Sequence, residues 1–94
     1  MVTYKDIAQK IVDREMEVIG QQLAMRTARE VEGIEINDEG DIQELEGEGK
    51  KLIDELVKGY EEKTGKVAVS IIARTVKEIG GDEKDLPERL ESRM

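Results

Sequence analysis

Between Glu30 and Gly49 the chain carries nine carboxylates and neither lysine nor arginine. The side chains that could do chemistry elsewhere are few. The sequence has no cysteine and no histidine. Thiolate nucleophiles, zinc–thiolate sites, the commonest transition-metal ligand and the usual base near neutral pH are therefore all missing. Acid–base work would fall to carboxylates, lysines or the two tyrosines, Tyr4 and Tyr60. A carboxylate pair does such work when its environment desolvates one member, which a surface loop does not provide. No phosphate loop, serine elbow or dinucleotide fingerprint is present. The composition thus predicts a protein that is not an enzyme, with no catalytic residue and no cofactor.

The acidic stretch contains one ligand-like pattern. Twelve residues from Glu35 place Glu35, Asn37, Glu39, Gly40, Asp41 and Glu46 at positions 1, 3, 5, 6, 7 and 12, where an EF-hand calcium loop carries its oxygen donors and its turn glycine. Ile42 stands at position 8. Three features depart from that pattern. Glu35 is one methylene longer than the aspartate that position 1 uses, Glu39 replaces a shorter donor, and Gly47 and Gly49 interrupt the exit helix. The same residues also read as a plain hairpin, with Ile34-Glu35-Ile36 as one strand, a turn at Asp38-Glu39-Gly40 and Ile42 opening the second. An acidic hairpin over 34–46 is the leading expectation. Calcium or small-ligand binding through 35–46 is the alternative.

The elements that position this stretch are helical by their spacing. Thr3 and Asp6 form an acidic capping box, and the pattern from 3 to 32 predicts one long helix. Ile7, Ile11, Val18 and Met25 share one side, with Ala8, Val12, Ile19 and Leu23 beside them. This arc is wider than the stripe needed to cover one neighbour. Gly33 stands where such a helix would stop. Leu52, Ile53, Leu56, Val57 and Tyr60 predict an amphipathic helix over 50–63, ended by Thr64-Gly65. Val67, Ala68, Ile71, Ile72, Val76 and Ile79 predict another over 66–79, with a buried strand over 67–72 as the competing reading. Leu86, Leu90 and Met94 predict a short tail helix over 85–94. The fold class is mainly α with a small β-hairpin (α+β), in one domain spanning 1–94, with an aliphatic core drawn from ten Ile, eight Val and six Leu.

Length bears on assembly. A straight 30-residue helix measures about 45 Å, whereas a compact chain of this size is about 32 Å across. Either the helix kinks, with Gly20 the natural place, or a second copy covers the overhang. Gly20 and Ala24 also form a small-xxx-small pair. Glu15 and Gln22 project into the middle of the apolar arc, and Arg26 and Arg29 lie on the same side. Polar residues in such a seam set register. The expected interface of a homodimer through 3–32 is Ile7, Ile11, Glu15, Val18, Gln22, Met25, Arg26 and Arg29, with Glu15 of one copy meeting Arg26 or Arg29 of the other.

The net charge of −8 is local. Outside the acidic stretch 14 carboxylates face 15 lysines and arginines, so the remainder carries +1. The stretch would steer a basic protein surface towards it. The face of the last long helix, with Lys66, Ser70, Arg74 and Lys77, holds too few cations for nucleic acid, and no nucleic-acid partner is expected. The longest apolar run, broken by Ser70, falls far short of the ~20 residues that span a bilayer, and the first residues contain no signal-type apolar region. The sequence reads as that of a soluble, cytoplasmic protein without membrane contact, with the Glu/Lys/Arg-rich bias of thermophile proteins. The functional expectation is a non-enzymatic dimeric interaction or regulatory module that presents its acidic loop to a protein partner.

Overall fold

The computed structural model describes residues 3–78. In chain order the elements are α1 (Tyr4–Ile19), α2 (Gln21–Arg29), β1 (Ile34–Ile36), β2 (Ile42–Leu45), α3 (Gly49–Thr64) and α4 (Lys66–Glu78). The described residues are thus mostly helical, with one two-stranded antiparallel hairpin. The tail helix expected over 85–94, and Ile79, lie outside the described residues.

The helix starts where the cap chemistry places it. The Thr3 hydroxyl accepts from the Asp6 N–H, and the Asp6 carboxylate accepts from the Thr3 N–H. These bonds hold the Asp6 carboxyl below its ordinary range. Two of the four N–H groups that a helix start leaves open, or that flank it, are satisfied this way.

The single helix expected over 3–32 is two helices. Gly20 separates them with φ 93° and ψ 154°, a region essentially restricted to glycine. Both helix ends close through this residue. The Gly20 N–H donates to the Met16 carbonyl, and the Gly20 carbonyl accepts from Ala24. The Gly20–Ala24 pair brings no neighbour close, since a Cβ built on Gly20 would meet nothing within 4 Å. Gly33 does not end the helix either. The cap residue is Glu30, and Gly33, at φ 100°, turns the chain into β1.

The break lets one chain cover its own wide arc. Ile7, Ala8, Ile11 and Val12 of α1 are buried in a single core with Ala24 and Ala28 of α2, Leu52, Ile53, Leu56, Val57 and Tyr60 of α3, and Ala68, Val69, Ile72, Ala73 and Val76 of α4. Overall dimensions are 30 × 26 × 20 Å, so among the described residues no helix overhangs. The overhang and the wide arc are the two reasons to expect a second copy; the break removes the overhang among the described residues, and the chain covers most of the arc but leaves Val18 50% exposed. The strand reading of 67–72 fails, because α4 is helical throughout that range. Its buried face is also rotated from the expected one. Val67 is 64% exposed, while Val69, Ala73 and Thr75 are buried.

Gly20→Ala tests whether the break is required. Alanine would favour a continuous helix by about 1 kcal/mol, but the backbone at Gly20 would strain it by about 1–3 kcal/mol. We expect a net loss of stability in thermal unfolding. An equal or higher midpoint would show that the chain tolerates a straight helix.

Candidate functional site

The hairpin is a short ladder with a register shift. Ile34 faces Leu45, Glu35 faces Glu44 and Ile36 faces Ile42, with the irregularity between Glu35 and Ile36 that leaves Gln43 unmatched. Ile34 and Ile42 are buried and Glu35 and Glu44 are exposed; Glu35 follows from simple alternation after Ile34, whereas Glu44, two residues from Ile42, is turned outward by the extra residue Gln43 at the register shift. All nine carboxylates of the acidic stretch are exposed. Like charges directly opposite in a ladder oppose pairing, so the hairpin depends on what holds it from outside.

Gln9 of α1 is the main clamp. Its Nε2 donates to the Gly40 carbonyl at 2.9 Å and to Asp13 Oδ1 at 3.0 Å, and its Oε1 accepts from the Ile42 N–H at 2.7 Å. One amide thus takes up a carbonyl and an N–H from the two sides of Asp41. From α2, Arg29 donates to the Asn37 carbonyl at 3.2 Å and to Asp38 Oδ1 at 3.0 Å. The turn itself closes on Asn37, whose Oδ1 accepts from the N–H groups of Glu39 and Asp41. Gly40, at φ 90°, lies so close to Met16 that a Cβ there would come within 2.8 Å of its Sδ. Sequence reasoning missed Gln9 entirely. Its only sequence signal is an amide beside the apolar arc, as Gln21 also is, which does not say what it reaches.

The residues that match a calcium loop are arranged differently. Asn37 Oδ1, the candidate third-position donor, is occupied by two backbone donors. Glu46 lies beyond β2, with its N–H donating to the Gly33 carbonyl, so the chain runs away from the turn instead of returning to it. Among the described residues no group of three or more carboxylates is close enough together to hold a metal ion. Glu35, Asn37, Glu39, Asp41 and Glu46 therefore form a hairpin and its turn, not a gathered ligand set.

The expected interface residues divide between core and surface. Ile7, Ile11, Glu15 and Met25 are buried within the chain, whereas Val18, Gln22, Arg26 and Arg29 are exposed. The pairing of Glu15 with Arg26 or Arg29 of another copy does not fit this placement, because Glu15 has no accessible surface. Gln22, Met25, Arg26 and Arg29 line one side of a shallow groove of about 700 Å³ with Gln21, Glu30 and Asp38. On α4, Lys66, Ser70, Arg74 and Lys77 are exposed, as their spacing predicts.

Glu15 is the anomaly of the core. Neither carboxyl oxygen has a hydrogen-bond partner. The other buried hydroxyls have spent their protons on backbone carbonyls: Tyr60 on Ala24, Thr27 on Leu23 and Thr75 on Ile71, each at 2.8 Å. With no donor left over among the described residues, burial pushes the Glu15 carboxyl up from 4.5 to about 7. Burial, and then the Glu15 charge, push the Tyr60 phenol upward as well.

No protein-family model, curated protein or solved structure matches the chain. No helix among the described residues is long and apolar enough to cross a membrane.

Two substitutions test this arrangement. Gln9→Ala removes a donor and an acceptor at once and should cost about 1–3 kcal/mol, with faster amide exchange at Ile42. Glu15→Gln keeps the shape without the charge. Because the folded carboxyl titrates near 7 and the unfolded one near 4.5, the wild type is destabilised only where the folded state must release its proton. The two proteins should match below about pH 4.5. Their gap should then widen up to pH 7 and reach about 3 kcal/mol above it, with Glu15→Gln the more stable. Parallel pH–stability curves from chemical denaturation would refute the assignment.

Proposed function

We propose that this protein is a non-enzymatic interaction module whose acidic hairpin captures a basic protein surface. The observation that carries this reading is the exposure of all nine carboxylates of the acidic stretch, five of them (Glu35, Asp38, Glu39, Asp41 and Glu44) on a hairpin clamped to the helical body by Gln9 and Arg29. A fixed charged surface loses little conformational freedom on binding, which favours affinity. Its potential also accelerates encounter with a cationic partner. The opposed Glu35–Glu44 pair supports the same reading. Direct like-charge pairing weakens a hairpin, and a cation placed between the two carboxylates by a partner would relieve it. Self-association rests on less. Of the expected dimer surface only Val18, Gln22, Arg26 and Arg29 remain available to a second copy.

The double substitution Glu35→Gln/Glu44→Gln separates binding from folding. It should raise stability by about 0.2–1 kcal/mol by removing the cross-strand repulsion, while weakening capture of a lysine-rich peptide measured by fluorescence anisotropy. For the wild type, capture should fade between low salt and about 0.15 M salt as the charges are screened. Capture that is insensitive to salt and to the double substitution would overturn the proposal.

A further inference from the structure

Glu15 and Gln9 stand on the same helix, and α1 meets α2 through a single exposed glycine. The docking of α1 thus places a buried acid in the core and fixes the hairpin from outside. We propose that Glu15 makes this docking pH-sensitive: protonated, it leaves α1 seated, and ionised, it drives α1 to open about Gly20, which withdraws Gln9 from the hairpin. The basis is geometric. The carboxyl has no accessible surface, neither oxygen has a partner, and α1 and α2 are joined by one exposed glycine at positive φ, with nothing within 4 Å of where its Cβ would stand. A buried carboxylate without donors is costly enough that a protein either neutralises it or moves it to water.

Among the described residues no buried charge accompanies Glu15, and burial is the cause of its raised proton affinity. From α2 the buried residues are Ala24, Met25, Thr27 and Ala28, with Arg26 and Arg29 exposed. From α3 the one buried titratable group is the Tyr60 phenol, which donates to Ala24. The buried residues of α4 carry no charge, and its Glu78 pairs with Arg14 at 3.1 Å on the surface. β2 contributes buried Ile42 and exposed Glu44. On α1 itself Arg14 and Glu17 lie 4.0 Å apart at the surface, and Asp13 accepts from Gln9. Burial raises the proton affinity of Glu15 into the neutral range, so the transition falls between mildly acidic and mildly alkaline conditions.

The opening stands independently of the partner. Only its effect on capture rests on the acidic-surface reading, and the test keeps the two apart. Hydrogen exchange of the full chain, read by mass spectrometry at about pH 6 and about pH 8 and corrected for intrinsic rates, should show α1 and the hairpin losing at least about tenfold in protection at the higher pH. α3 and α4 should lose less. Glu15→Gln, with Glu15→Met as a second neutral variant, should abolish the change. Equal loss across all four helices, or the same pH response in wild type and both variants, would overturn the proposal. In a parallel arm a lysine-rich peptide is titrated against Glu15→Gln at both pH values. Failure to bind there, with the exchange result intact, would count against the acidic-surface function and not against the opening.

Discussion

The structure depends on the burial of α1. This helix packs on every other helix and on β2, and its apolar arc is too wide for any one of them. Three helices therefore divide it between them, and the chain must turn sharply at Gly20 to bring α2 back against it. The break, the compact shape and the shared core all follow from covering that one surface. Apolar area removed from water supplies the driving force, and the strain-free positive φ of glycine supplies the turn.

The same helix governs the charged surface. A two-stranded hairpin is marginal in water by itself, and here its outer face opposes Glu35 to Glu44. It is held because Ile34 and Ile42 join the core while Gln9 replaces hydrogen bonds that a third strand would otherwise make. The acidic face is therefore a consequence of α1 packing. Surface ion pairs such as Arg29–Asp38 and Lys63–Glu30 contribute direction more than stability.

Glu15 shows why a core position can carry a polar residue at a cost. A hydrocarbon side chain would fill the site without a titration. The carboxyl makes the stability of the core depend on proton concentration, and it couples that dependence to the element that carries Gln9. The three other buried hydroxyls of the core do not share this property, because each has a backbone acceptor within its own helix or across to α2.

Much of this was legible in the sequence. The Thr3–Asp6 cap, the apolar face of α3, the helical character of α4 and the hairpin all follow from local spacing, because a helix or a tight turn is set by residues a few positions apart. Net charge and its confinement to one stretch are likewise sequence properties. Tertiary structure decided the rest. Glu15 falls in the middle of an apolar arc, but spacing alone does not tell a dimer seam from the interior of a single chain. What covers an arc is set by elements distant in sequence. Gln9 reaches Gly40 and Ile42 only because α1 packs beside β2, and Val67 faces water only because neighbouring helices fix the rotation of α4. Local propensity specifies each element and its faces. The long-range packing of those faces decides which polar groups are buried and which carboxylates are left exposed.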